Sequence, residues 1–177
     1  MKNEKFICLF LLLFLFLIPL RDSVFAQSNY VLPYPSSMPG NWSYRMHLIY
    51  ENVSKYWYFG DFGQFDYNLK MTDKYLVEAK TLLEYKQYLL GYKALEKSNY
   101  YFPITLLNLN KAKNNNKDIF QKKIILNQAA LRHIETLEKM DADTPDVFNW
   151  QPEKEIPTKL DIKKIIKNAI KVRENLL

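Results

Sequence analysis

Apolar residues recur at helical spacing through the middle of this chain, and this pattern restricts its fold more than any other feature. Between residues 64 and 85 they follow steps of seven, three and four along one helical face: Leu69, Leu76, Ala79 and Leu83. Residues 87–112 repeat the pattern with Tyr92, Leu95, Phe102, Leu106 and Leu109. A connection this short favours antiparallel neighbours, so the sequence predicts a helical hairpin. Pro103 cannot bond the Asn99 carbonyl, so we expect a kink or a break there.

A strongly aromatic segment precedes the hairpin. Residues 44–59 form a predicted helix that Asn41 or Ser43 can cap and Gly60 can end. The tetrapeptide Gly60–Gly63 is then expected to be a turn into the hairpin.

Two more helices are predicted after the hairpin, over residues 118–140 and after Pro157. Their expected inward residues are Phe120, Ile124, Leu131, Ile134 and Leu137 in the first, and Ile162, Ile165, Ile166, Ala169 and Ile170 in the second. Thr158 and Asp161 have the spacing of a capping box. Strand signals are scarce, so the predicted class is all-α: a small bundle of about five helices with the repeat-like hairpin at its centre.

Two proline-rich stretches interrupt the helical pattern. Residues 27–41 hold three prolines and Gly40, which predicts an extended arm. Residues 141–157 hold three more prolines and are expected to form a long irregular connection. Its apolar residues Val147, Phe148 and Trp150 are expected to dock onto the helices.

The first 26 residues have the pattern of a secretion signal. A positively charged start precedes an apolar run over Phe6–Leu20, and small or branched residues occupy Val24–Ala26. The run is shorter than the roughly 20 apolar residues of a spanning helix, although retention as an anchor stays an alternative. Cys8, the single cysteine, lies inside the run. We therefore expect a signal peptide (1–26), an extended arm (27–41) and a single helical domain (42–177) that is exported and free of disulfides.

The charge distribution argues against a nucleic-acid partner. The chain has a formal net charge of +6, but its lysines are interspersed with glutamates and aspartates. A nucleic-acid interface requires a denser basic stripe, and the expected export makes such a partner less plausible still.

Three stretches, in this order along the chain, resemble the bacterial domain-of-unknown-function family 5667, which occurs in exported or membrane-tethered proteins. They are Tyr34-Pro35 with Pro39, Tyr44, Arg45 and Glu51, then Asp73–Ala79 with Gly91–Leu95, then Ala130–Glu138. The similarity covers roughly residues 33–177. It implies an exported helical domain and brings no activity, substrate or catalytic residue with it.

The motifs that could carry chemistry are incomplete. Asp61-Phe62-Gly63 spells the kinase metal-binding triplet, but its companion motifs are absent. His47 and Glu51 are spaced to share a zinc ion and lack further ligands, whereas His133 and Glu135 do not face the same side of a helix. No nucleophile or zinc-protease motif is present. We therefore expect no catalytic residue, no metal and no cofactor.

Aromatic residues are concentrated in the segment from Tyr30 to Tyr67. Four of them are consecutive, Tyr56 to Phe59, and cannot all face inward on one helix, so at least one is expected to be exposed or bound to something. The candidate binding residues are Trp42, Tyr44, Tyr56, Trp57 and Tyr58. The same rings can instead fill the core of a small helical domain.

These observations predict a non-enzymatic extracytoplasmic helical module that binds another protein of the cell envelope. The alternative is a module whose aromatic surface binds cell-wall glycan or lipid headgroups. An enzyme is the third hypothesis.

Overall fold

The computed structural model describes residues 29–35, 38–40, 42–154 and 156–177, so the predicted leader lies outside the described residues. Five α-helices and one two-stranded sheet make up the described part: α1 (Trp42–Ser54), α2 (Gly60–Glu84), α3 (Tyr88–Asn114), α4 (Phe120–Asp143), β1 (Phe148–Trp150), β2 (Thr158–Leu160) and α5 (Ile162–Glu174). The predicted all-α class and five-helix bundle are confirmed. No helix in these ranges has the length and apolar character needed to cross a bilayer.

The α2–α3 hairpin is the centre of the bundle, as predicted. Its connection is three residues long, and Lys86 adopts a left-handed conformation with φ 60°. The backbone N–H of Gln87 donates to the Leu82 carbonyl at 2.8 Å, which closes the end of α2. Gly91 allows the two helices to approach closely, because a Cβ atom there would lie 2.8 Å from the Leu83 side chain.

Of the kink or break expected at Pro103, the break is wrong, because α3 continues through this residue. Pro103 itself is exposed, whereas Phe102 and Thr105 on either side of it are buried. Tertiary packing of these neighbours holds the helical backbone past the missing hydrogen bond. Propensity is a weak determinant when packing opposes it.

Three apolar clusters are found among the described residues, and the two larger ones fill the bundle. One lies at the hairpin end, where α2 and α3 meet α4, α5 and the sheet, and it includes Leu76, Leu95 and Ile166. The other joins α2, α3 and α4 and includes Phe65, Phe102 and Leu126. The predicted inward residues Leu69, Leu76, Ala79, Leu83, Leu95, Phe102, Leu109, Ile134, Leu137, Ile162, Ile166 and Ala169 are buried.

The expected inward face of α4 is wrong over its first two turns. Phe120 is 63% exposed and Ile124 is 37% exposed. The buried stripe begins at Leu126 instead and includes His133. His133 was not predicted to be buried, because a histidine is not counted among the apolar residues that define a helical face.

The stretch between α4 and α5 is not wholly irregular, contrary to expectation. Strands β1 and β2 pair in an antiparallel hairpin, with Phe148 opposite Leu160 and Trp150 opposite Thr158. Phe148 and Trp150 pack on the first cluster as expected, whereas Val147 is exposed.

The predicted capping box before α5 is wrong. Thr158 belongs to β2, and Asp161 precedes α5 without a side-chain capping bond. Thr158 is extended because its backbone pairs with Trp150, which keeps its hydroxyl away from the helix start.

The junction between α1 and α2 differs from the prediction. Helix α1 ends at Ser54, and a 3-10 turn over Lys55–Trp57 follows it. The segment Gly60–Gly63 is the first turn of α2, and the chain changes direction just before it, where Gly60 has φ 69°. The absent Cβ of Gly63 would lie 2.8 Å from the Tyr58 carbonyl carbon, so this glycine allows the backbone to double back.

Candidate functional site

Helix α1 is attached to the bundle through polar side chains. Tyr44 Oη donates to Glu78 Oε1 at 2.9 Å, and Tyr75 Oη donates to Glu51 Oε2 at 3.1 Å. Lys74 Nζ lies 2.6 Å from Glu51 Oε1 and 3.4 Å from Glu78 Oε2, so one ammonium group bridges α1 and α2. Ser54 is the only described residue of α1 that is fully buried.

The environment of this junction keeps its tyrosines protonated. Burial, reinforced by the neighbouring carboxylates Glu78 and Glu51, raises the pKa values of Tyr44 and Tyr75 far above their ordinary range. Both hydroxyls therefore remain hydrogen-bond donors to these carboxylates at any physiological pH. The junction is a fixed polar attachment.

The opposite side of α1 is apolar and faces outward. Trp42, Met46, Ile49 and Val53 are 46–73% exposed and follow steps of four, three and four residues, which align them along one side of the helix. We call these four residues the apolar seam. Further exposed rings belong to α1 and to the segment that follows it: Tyr50, Tyr56, Trp57 and Phe59.

The structure divides the five candidate residues predicted from the sequence. Trp42, Tyr56 and Trp57 are exposed, so a core position for them is wrong. Tyr44 is half-buried against Glu78, and the half-buried ring of Tyr58 lies 5.6 Å from that of Tyr67, so these two face the protein. The prediction that at least one of Tyr56 to Phe59 is exposed is confirmed.

Sequence reasoning missed the aliphatic part of the surface. Met46, Ile49 and Val53 continue the line that Trp42 begins. Their signal was the four-three-four spacing with Trp42, in a segment where aromatic residues are the more conspicuous feature of the composition.

An open groove of about 700 Å³ runs beside α1. Leu48, Glu51 and Asn52 of α1 line one wall, and Lys93 and Lys97 of α3 line the other. The Lys97 ammonium lies 4.8 Å from the centre of the Tyr75 ring. Neither lysine forms an ion pair within the part of the chain that the structure describes.

Besides the polar junction between α1 and α2, a group of polar side chains is buried inside the bundle. His133 and Arg173 are both fully buried, with His133 Nε2 2.6 Å from Asp73 Oδ1 and Arg173 Nε donating to His133 Nδ1 at 3.3 Å. Tyr30 donates to Asp73 Oδ2 at 2.6 Å, which ties the N-terminal arm to α2. Arg173 also donates to Ser98 Oγ at 3.0 Å.

The hydrogen bonds define the protonation of this buried cluster. A guanidinium can only donate, so His133 Nδ1 accepts and its proton lies on Nε2, directed at an ionised Asp73. Burial lowers the pKa of His133, and it lowers that of Arg173 to about 9, which leaves the guanidinium charged at neutral pH. The cluster therefore contains one negative and one positive charge with a neutral imidazole between them.

These buried groups are not arranged for catalysis. Ser98 is fully buried, and its hydroxyl donates to the Thr72 carbonyl at 2.9 Å and accepts from Arg173. The guanidinium contacts both Ser98 and His133, so the histidine is not aligned to activate the hydroxyl.

The metal hypotheses find no geometric support. Glu51 faces Lys74, whereas His47 lies on the exposed surface. Throughout the described ranges, no three His, Cys, Asp or Glu side chains are grouped so that they could hold a metal ion.

Comparison with known proteins adds no family to this description: no family model, curated protein or solved structure matches the chain. The resemblance to family 5667 therefore stays a prediction.

Proposed function

We propose that this chain is a non-enzymatic extracytoplasmic helical module that binds another protein of the cell envelope through the apolar seam of α1. The observation that carries the proposal is the orientation of α1, whose polar side contacts α2 while its apolar side faces outward. A soluble amphipathic helix normally has the reverse orientation.

The composition of the exposed surface supports a protein partner. Trp, Tyr, Met and Arg are enriched in the cores of protein interfaces, and aromatic anchors carry much of their binding energy. The seam and its neighbouring rings contain these residue types, with Arg45 also exposed on α1. Large contiguous apolar patches on soluble proteins commonly mark interaction sites.

Site-directed photo-crosslinking in the native cell envelope tests the proposal. Benzoylphenylalanine replaces Ile49 in one variant and the exposed Asn110 of α3 in a control variant. We expect one defined protein to crosslink from position 49 and not from position 110. That protein, once identified and purified, should bind the wild-type chain at least about tenfold more tightly than Ile49→Asp, which places a charge in the seam. Equal crosslinking from both positions, or equal affinities, contradicts the proposal.

A second candidate function is binding of cell-wall glycan or lipid headgroups, because Trp42, Tyr56 and Trp57 expose flat aromatic rings. Trp57→Ala should then abolish retention on cell-wall material or liposomes while changing the free energy of unfolding by less than about 0.5 kcal/mol. Retention that is unchanged in Trp57→Ala, or absent in the wild type, excludes this candidate.

A further inference from the structure

We infer that the partner presents an amphipathic helix with acidic flanks, which lies along the apolar seam of α1. This inference rests on the proposed function, because it specifies the chemistry of the protein that the seam binds.

The spacing of the seam fits a helical partner. Steps of four, three and four residues are those of alternating d and a positions in a heptad repeat, in which side chains of one helix insert between those of another. At 100° per residue the four seam residues occupy a stripe of about 60°, which is the narrow stripe of a coiled coil. The twelve residues from Trp42 to Val53 are separated by eleven helical steps and span about 17 Å, so roughly two heptads of a partner helix cover the seam.

The attachment of α1 keeps the seam available to a partner. Turning the seam inward would separate Glu51 from Lys74 and Tyr44 from Glu78. The side chains of Lys74 and Glu51 are each only 12% exposed, so breaking their pair leaves charges poorly solvated. The seam is therefore held outward before any partner binds.

The charges beside the seam are mostly positive. Asn52 and Lys97 line the groove next to α1, and Arg45 lies on the same side of α1 as Asn52, two turns earlier. Lys93 adds a third cation to this flank. Two carboxylates, Glu51 and Glu96, are among the described residues that line the groove. Glu51 is paired with Lys74, which leaves Glu96 as the one negative group there without a lysine partner.

Charge complementarity therefore selects the partner. In paired helices, the charged residues that flank the apolar seam determine which partner binds. Carboxylates that flank the apolar stripe of the partner helix would meet Arg45, Lys93 and Lys97. A second copy of this chain would bring the same cations towards one another, which disfavours self-association through the seam. An amphipathic helix with acidic flanks would cover the seam with its apolar residues and place its carboxylates next to the basic side chains beside the seam.

The test uses synthetic helical peptides of about three heptads with leucine at every a and d position. One peptide carries glutamate at the e and g positions, a second carries lysine there, and a third has the composition of the acidic peptide without its heptad order. Full-length mature protein should bind the acidic peptide at least about tenfold more tightly than either other peptide, with an affinity that falls as salt is raised.

Variants separate the seam from its flank. Ile49→Asp and Val53→Asp should each weaken binding of the acidic peptide at least about tenfold, with unchanged melting temperatures because both side chains are exposed. Lys97→Glu should reduce the preference for the acidic over the basic peptide. Lys113→Glu, an equal change of charge outside the groove on exposed α3 surface, should leave that preference unaltered.

Several outcomes overturn the inference: equal affinity for the acidic and basic peptides, no binding of either, Ile49-dependent dimerisation of the chain alone, or Ile49-dependent binding only to phosphatidylglycerol vesicles. If crosslinking from position 49 identifies a protein that binds while the peptides do not, the helical-partner inference fails and the proposed function stands. If the acidic peptide binds and no protein crosslinks, the proposed function fails and the charge preference of the surface stands.

Discussion

Arg173 illustrates, at the residue scale, how a fully buried charge is accommodated in this bundle. Its guanidinium donates to Asn99 Oδ1 and to the Ala169 carbonyl, each at 2.9 Å, in addition to His133 and Ser98. The Asp73 carboxylate compensates this charge indirectly, because the His133 imidazole lies between the two groups and is hydrogen-bonded to both. Such a network is stable only when every member is satisfied, because an unpaired group in a low-dielectric interior is costly.

Removing the guanidinium should therefore destabilise the fold strongly. We expect Arg173→Met to lower the free energy of unfolding by about 3–5 kcal/mol, because Asp73 then remains buried without its counter-charge. Lys171→Met, on the exposed surface of the same helix, should change it by less than about 0.5 kcal/mol. Urea unfolding of both variants measures the difference. Similar small effects for the two variants would contradict the stabilising role assigned to the Arg173 guanidinium.

His133 should make stability depend on pH. Burial lowers its pKa in the folded chain, whereas an unfolded histidine titrates near its ordinary value of about 6.5. Below that pH the unfolded chain binds a proton that the folded chain does not, so stability is greatest above about 6.5 and falls as the pH decreases further. His133→Gln should be less stable at pH 7.5 but should lose this slope between pH 7 and 5. His47→Gln is the control, and a slope that disappears in it instead would contradict this assignment.

At the scale of secondary-structure elements, the junction between α1 and α2 depends on two glycines with different roles. Gly60 supplies a backbone with positive φ, and Gly63 supplies space for the Tyr58 backbone. The side chain of Gln64 reinforces the turn by donating to the Tyr58 carbonyl at 2.6 Å. This local structure orients α1 so that its polar side meets α2.

Gly63→Ala should destabilise the protein, and Gly91→Ala provides a matched comparison. Both glycines lie in helices, where alanine is intrinsically favoured by up to about 1 kcal/mol. The new Cβ at position 63 would meet backbone atoms of Tyr58, which cannot move independently, whereas at position 91 it would meet the side chain of Leu83. We expect a loss of about 1–3 kcal/mol for Gly63→Ala and a smaller loss for Gly91→Ala, measured by urea unfolding. The reverse order would contradict the structure of this turn.

The elements that could be predicted from the sequence are those with a sustained apolar period. Helices α2, α3 and α5 were placed because their buried residues repeat at helical spacing. The sheet was missed because its strands are three residues long and depend on pairing between Trp150 and Thr158, which no local pattern reports. The orientation of α1 could not be predicted either, because it depends on Lys74 and Glu78, which lie in a different helix.

The same contrast applies to the candidate site. Trp42, Tyr56 and Trp57 were chosen because aromatic residues are abundant in this segment, and the structure shows that all three are exposed. The sequence alone does not distinguish an exposed ring from a buried one. Tyr44 was assigned to the same surface, yet its hydroxyl has a specific partner 34 positions away, in Glu78. Long-range polar contacts of this kind distinguish aromatic residues that attach α1 to the bundle from those that remain exposed. They can be seen only in the folded chain.

At the scale of the whole molecule, α1 is held differently from the other helices. Helices α2 to α5 share two apolar clusters with the buried polar network of Asp73, His133 and Arg173. Helix α1 contributes no residue to either cluster, and it is attached to α2 by the Lys74–Glu51 ion pair and by the hydrogen bonds Tyr44–Glu78 and Tyr75–Glu51. An element with few buried apolar contacts opens at a lower free energy than the body it rests on.

Hydrogen exchange should therefore resolve two levels of stability. We expect amides of α1 to exchange through local opening that is nearly independent of urea concentration, whereas core amides of α2 to α5 exchange through global unfolding. Lys74→Met should accelerate exchange in α1 alone, because it removes the cation that links Glu51 and Glu78 and leaves their carboxylates facing each other. Lys80→Met removes the exposed pair with Glu84 on the same helix and should have no such effect. If α1 exchanges together with the core in the wild type, α1 belongs to the same cooperative unit as α2 to α5, and the prediction of two levels of stability is contradicted.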